Sequence, residues 1–352
     1  MSGSVQFRKR PAGQVEERLT QTVDLDDYHK IRKREANEDW VLLCEELAEN
    51  DWKYAEEQFA LKRVATARYF FSAALGAFMV AGYGLTDLTE EKLKLYRRQV
   101  DCAKKFAELG PNSFVPVKIP YKDYHMDGWL VTPRTMKPDH PIVIMIPGAT
   151  AFKDSFIRGM DGWLMSGVSV LLMDGPGQGT TRYFNNGYLE VEVEKAYSKM
   201  VDFIKNDGRF GKIIIYGGST GGYYVVRAAA TDKRIDMCLI NGGSYYPTEI
   251  LDYSMEYRHK FAVLYNVSDD EMDAIFPRMN LKGFAENLEC PLLVLHGGAD
   301  PIFKVESAKK IYDVAKSKDK TFVAFPGAWH CCAGEGSKAV RLTMDWLAEH
   351  TR

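Results

Sequence analysis

The sequence predicts an α/β fold: a mostly parallel central sheet with helices on both faces. An all-helical segment precedes the sheet, and a helical cap is inserted late in it. Three observations carry this expectation. Short apolar runs of strand length recur after residue 113, at Ile142–Ile146, Val168–Met173, Ile213–Tyr216, Ile235–Ile240, Leu292–Leu295 and Thr321–Phe325. Helix-like stretches separate them, and strands covered on both faces read as unbroken apolar runs. Before residue 113 only the three- and four-residue spacing of helices is present.

Taken in order, residues 1–25 read as a flexible lead-in. Residues 26–112 read as a helical domain, with apolar residues at helical spacing in Trp40, Leu43, Cys44 and Leu47, and again in Ala55, Phe59, Leu61 and Ala65. Thr86-Asp87-Leu88-Thr89-Glu90-Glu91 starts a helix that Gly110-Pro111-Asn112 stops. The most apolar stretch, Tyr69–Tyr83, reads as a buried helix too short to span a bilayer. Residues 113–352 form the α/β core. Phe114–Ile119 and Trp129–Thr132 open it as a hairpin, and a helix over about Ser337–Glu349 closes it. Between residues 244 and 287 the alternation breaks. Tyr245, Tyr246, Tyr253, Tyr257, Phe261, Tyr265 and Phe276 crowd into helix-like sequence, expected to form a cap over the carboxyl edge of the sheet.

The chain has 352 residues and is 46% hydrophobic, enough for a large core. Its 46 basic and 48 acidic residues leave a formal charge of −2, which gives no reason to expect nucleic acid or an anionic membrane as partner. No apolar signal segment opens the sequence, so a cytoplasmic location is expected. Six cysteines without C-x-x-C spacing read as free thiols. Neither a metal site nor a cofactor is expected.

The chemistry concentrates at Lys212–Tyr224, KIIIYGGSTGGYY. A strand runs into Gly217-Gly218-Ser219-Thr220-Gly221, and a helix follows. G-x-S-x-G in that context is a nucleophile elbow, with the serine at the apex of a strained turn. A serine needs a base, and the base needs an orienting group. Leu292–Leu295 leads through His296-Gly297-Gly298 to Asp300, and Thr321–Phe325 leads to His330. Both lie just past strand carboxyl ends, and the order Ser, Asp, His is that of α/β-hydrolases. His296 is the competing histidine, read as a turn or core residue. Asp174 is the competing acid, but it precedes the serine. Oxyanion donors are expected from the backbone of Thr220 and from the loop Pro147–Phe152, where Ala149 and Thr150 are both candidates.

Further words appear in order: PGATAFKD at residues 147–154, DGPGQG at 174–179, then GGSTGG, HGGADP and PGAWH. On these the chain, from about Asn37 onward, resembles the α/β-hydrolase group containing 2,6-dihydroxypseudooxynicotine hydrolase, the FrsA-like proteins and fungal pigment hydrolases that shorten polyketide chains. The resemblance implies a serine hydrolase acting on a small molecule, with the helical segment and the insertion as cap, and a homodimer. It also implies cleavage of a carbon–carbon bond beside a ketone, with Glu249 as an assisting acid. An ester or lactone hydrolase using the same three residues is the alternative, as is a non-hydrolytic use of the fold. Tyr223, Tyr245, Tyr246 and Trp329 are expected to line the substrate pocket.

Overall fold

In a computed structural model the described residues are 8–11, 16–35 and 37–351. They divide into two compact units, Met1–Pro111 and Asn112–Arg352. Part of the expected lead-in, 1–7 and 12–15, lies outside the described residues. The rest of it departs from expectation, because helix α1 spans Glu16–Thr22. It is short and polar, but Leu19 and Val23 are buried, so tertiary cover supplies what propensity does not.

The first unit continues with α2 (Leu25–Arg32), α3 (Trp40–Ala60), α4 (Val64–Tyr83) and α5 (Glu90–Glu108). Asp39 caps α3 by accepting the Val41 and Leu42 N–H groups, and Thr89 caps α5 through Lys92. Helix α4 is longer than the stretch read from sequence. Its 20 residues are long and apolar enough to cross a membrane. The residues from Phe71 to Gly82 are nevertheless buried within this unit. Trp40 Nε1 donates to Val80 O at 3.1 Å, and the Arg98 guanidinium lies 4.2 Å from the Trp52 ring centroid.

The second unit is built on eight strands: β1 (Ser113–Tyr121), β2 (Tyr124–Thr132), β3 (His140–Ile146), β4 (Ser169–Met173), β5 (Phe210–Gly218), β6 (Met237–Asn241), β7 (Leu292–Gly297) and β8 (Lys320–Phe325). Their spatial order is β1-β2-β4-β3-β5-β6-β7-β8. Strand β2 runs antiparallel to β1 and β4, and the remaining pairs are parallel. At the edge, β1 alternates buried Val117, Ile119 and Tyr121 with exposed Lys118 and Pro120. Proline is tolerated there because an edge strand has donors to spare. In the interior, β4 is buried throughout, as the apolar run Val170–Met173 requires.

The helices are α6 (Lys153–Phe156), α7 (Met160–Met165), α8 (Gly179–Tyr183), α9 (Glu194–Asp207), α10 (Thr220–Thr231), α11 (Ile250–Tyr253), α12 (Glu256–Tyr265), α13 (Asp269–Ile275), α14 (Val305–Val314) and α15 (Gly336–His350). The chain leaves β3 for β4 on one side and returns to β5 on the other. That makes the β3/β5 boundary a topological switch point, where the carboxyl ends open a crevice. The insertion after β6 carries α11 to α13. Its Tyr257, Phe261, Tyr265, Met272 and Phe276 share one buried cluster with Tyr224 and Val225 of α10. These rings are core, packed with the covering helices. Their helical spacing serves that packing.

Candidate active site

Four loops at the carboxyl ends of parallel strands carry the residues of interest. Ser219 follows β5 with φ 57° and ψ −131°, outside the regions that residues with a Cβ favour. The turn exists because its glycines let backbone meet backbone. A Cβ on Gly217 would lie 2.3 Å from Gly221 O, and one on Gly221 would lie 2.7 Å from Ile146 O. The Ser219 N–H donates to Asn241 O at 2.9 Å, which pins the turn to the end of β6.

His330 opens the turn after β8, and Asp300 ends the turn after β7. His330 Nε2 and Ser219 Oγ are 2.7 Å apart. His330 Nδ1 and Asp300 Oδ2 are also 2.7 Å apart. Asp300 Oδ1 accepts the N–H groups of Ile302 at 2.8 Å and Phe303 at 3.1 Å. Both side chains are almost fully buried. Burial works to raise the Asp300 pKa, but the charge and hydrogen bond of His330 and the backbone donors outweigh it, so the group lies below its ordinary value. For His330, burial disfavours the imidazolium. The Cys331 sulfur and the Asp300 carboxylate more than offset this, and its pKa is raised above the ordinary 6.5.

His296 does not join this hydrogen-bond chain, although its Nε2 lies 3.6 Å from Asp300 Oδ2. It lies in β7, fully buried, with Nε2 2.9 Å from Phe303 O and its pKa lowered, by burial first. Asp174 is fully buried elsewhere. It accepts Lys153 N–H at 2.7 Å and Thr180 N–H at 2.8 Å. Lys153 Nζ reaches it at 3.4 Å and Asp154 at 2.7 Å, and Trp129 Nε1 donates to Asp154 at 2.9 Å. A buried ion cluster thus ties the loop after β3 to the DGPGQG loop.

The loop after β3 passes directly beside the serine, since a Cβ on Gly148 would lie 2.9 Å from Ser219 Cβ. Thr220 is the first residue of α10, where helical N–H groups have no intrahelical acceptor. Among the described residues no protein acceptor is paired with the N–H of Ala149, Thr150 or Thr220. Glu249 is half-buried. Its Oε2 accepts Ser244 Oγ–H at 3.1 Å and Lys304 N–H at 3.3 Å, which ties it to the loop that holds Asp300. Burial raises its pKa, against the lowering by those donors.

The four expected pocket residues separate. Tyr223 and Tyr245 are 1% and 2% exposed, inside the core. The Tyr223 hydroxyl accepts from Arg227 at 3.2 Å, and the Tyr245 hydroxyl donates to Glu286 at 2.8 Å. This corrects the expectation that they line a pocket: α10 turns Tyr223 inward, and Tyr245 leaves β6 pointing under the insertion. Tyr246 is 40% exposed beside Lys310, and Trp329 packs edge-on against His330 with centroids 6.0 Å apart. Asn241 escaped the sequence reading. Its carbonyl receives the Ser219 N–H, its Nδ2 donates to Cys331 O at 3.3 Å, and its Oδ1 accepts the Cys332 thiol at 3.2 Å. One residue therefore links the serine turn to the histidine turn. An asparagine at a strand end carries no motif that would have marked it.

Comparison with known proteins bears on the fold that carries this geometry. The family model described as serine aminopeptidase, S33, matches residues 278–337. The α/β-hydrolase xenA of Xenoacremonium sinensis is 28% identical over 221 residues, 59% of this chain and 52% of that protein. The 2,6-dihydropseudooxynicotine hydrolase of Paenarthrobacter nicotinovorans is 26% identical over 220 residues, 59% of this chain and 57% of that one. The chain spans about half the length of the curated relatives it matches. Among solved structures, 2,6-dihydroxy-pseudo-oxynicotine hydrolase superposes with a TM-score of 0.84 at 21% identity, covering 95% of each chain. AbyA5 superposes at 0.66 and 14% identity, over 93% of this chain and 88% of that one. These likenesses establish the α/β-hydrolase fold and place the chain beside the hydrolases that its motifs resemble.

Proposed function

We propose that this chain, with its α/β-hydrolase fold and its kinship to named hydrolases, is a serine hydrolase that cleaves a carbon–carbon bond beside a ketone, in a 1,3-dicarbonyl or vinylogous substrate of aromatic or polyketide type. The observation that carries the hydrolytic part is the unbroken hydrogen-bond chain Ser219–His330–Asp300, with both links at 2.7 Å.

In this reading His330, held by Asp300, takes the Ser219 proton as Oγ attacks the carbonyl. The developing oxyanion is met by the Thr220 N–H and by Ala149 or Thr150. Collapse expels a carbanion as an enolate or phenol-stabilised anion. His330 Nε2 returns the proton to it, or Glu249 in its acid form supplies one and takes up the proton that His330 holds, so the imidazole is neutral again on either route. The burial that raises the Glu249 pKa supports that form. Water, activated by His330, then releases the acyl group from Ser219. The bond type is supported by the similarity to the dihydropseudooxynicotine hydrolase and by Glu249, at the place where that resemblance puts an assisting acid.

A panel of aryl 1,3-diketones and p-nitrophenyl esters tests the reading. Diketone cleavage that is lost in Ser219→Ala and at least as efficient as ester turnover is expected. Fast ester turnover with no diketone cleavage overturns the bond type.

A further inference from the structure

We infer that Gln178, in the DGPGQG loop, is a positioning residue that sets the oxyanion-binding backbone after β3. The inference deepens the hydrolase reading and rests on it. Gln178 is 2% exposed. Its Oε1 accepts the Gly175 N–H at 2.8 Å, which fixes the orientation of the amide. Its Nε2 then donates to two successive carbonyls, Pro147 O at 2.6 Å and Gly148 O at 3.1 Å. In a trans peptide the C=O and the following N–H point in opposite directions. A Gly148 carbonyl held on Gln178 therefore turns the Ala149 N–H away from Gln178. That N–H donates to no protein acceptor, and it follows the glycine whose Cβ position lies 2.9 Å from Ser219 Cβ. This selects Ala149 over Thr150 as the partner of Thr220.

An amide is the side chain the position needs. It accepts from one backbone group and donates to two, whereas a carboxylate has no proton to give and a thioether has none at all. The Lys153–Asp174 pair anchors the far end of the same loop, so the loop is held at both ends by buried polar groups.

The test uses the full-length chain and a fluorophosphonate probe, because phosphonylation of a serine passes through the same oxyanion arrangement and requires no known substrate. The measured quantity is the second-order labelling rate per folded site, with melting temperature recorded alongside. Gln178→Met is expected to lower that rate roughly 10- to 100-fold, approaching the loss of one oxyanion donor. The fall should be uniform in pH, because His330 is untouched. Gln178→Glu preserves the shape and keeps the test open if the methionine variant does not fold. Its rate relative to wild type should rise towards acid pH, where the protonated carboxyl regains a donor for Pro147 O. A variant that melts earlier yet labels at the wild-type rate per folded site overturns the positioning role. So does a fall confined to one limb of the pH profile. A wild type that takes up no probe overturns the hydrolase reading and this inference with it.

Discussion

At the scale of single residues, two side chains hold unfavourable states for the sake of the site. Ser219 occupies φ 57° and ψ −131°, a conformation costing a non-glycine residue about 1–3 kcal/mol. Glycine adopts it freely, although its unfolded chain loses about 0.5–1 kcal/mol more entropy on folding. Strain relief is the larger effect. Ser219→Gly should therefore be more stable than Ser219→Ala by about 1 kcal/mol in urea unfolding, while both lose labelling. Equal stability would mean that the turn is not strained. His330 is the second case. Burial lowers its pKa, but Cys331 and Asp300 raise it further, so the net shift is upward. The base must be neutral to accept the serine proton. Labelling should consequently rise with pH, with a midpoint above the ordinary histidine value of 6.5. A midpoint at or below 6.5 in the wild type contradicts the assignment of His330 as base.

At the scale of elements, helices α2 and α3 place Asp27 and Asp51 together inside the first unit, 1% and 9% exposed. Lys30 Nζ pairs with Asp27 at 3.1 Å. Burial, followed by the charge of Asp27 and a hydrogen bond to it, pushes the Asp51 carboxyl up to about 8. The folded chain thus keeps a proton that the unfolded chain gives up near 3.8. Stability from this group is greatest below that lower value and drains away as pH rises towards 8. Asp51→Asn removes the dependence. Urea titrations at pH 6 and 8 should show the variant gaining up to about 2 kcal/mol on wild type across that interval, within the limit of about 1.4 kcal/mol per pH unit. A constant difference would rule out a proton shared by the pair.

Elements also show what sequence could carry. Ser219, Asp300 and His330 were legible because each follows an apolar strand run and a glycine-containing turn, both local signals. The α1 helix was not, since only the burial of Leu19 and Val23 distinguishes it from a polar lead-in. The aromatic residues of the insertion carry no such local signal, because core packing and pocket lining share one helical spacing. Burial of Phe261 and Tyr257 decides for the core. Asn241 and Gln178 were beyond reach for another reason. The partners that matter to the site lie on distant loops, such as Pro147, 31 residues from Gln178. No periodicity encodes such a pairing.

At the scale of the whole molecule, the second unit brings loops from β3, β5, β7 and β8 to one edge of a parallel sheet. Order along the chain and order in space differ, and that difference makes the crevice at β3/β5. The site is accordingly a property of topology, with Ser219 and His330 separated by 111 positions yet hydrogen-bonded. We propose that this assembly makes Ser219 a nucleophile. Intact mass spectrometry of the full chain after exposure to a fluorophosphonate tests it most directly. One phosphonyl adduct is expected, mapped to Ser219 and absent from Ser219→Ala. An unmodified wild type, or an adduct that persists in Ser219→Ala, would contradict it.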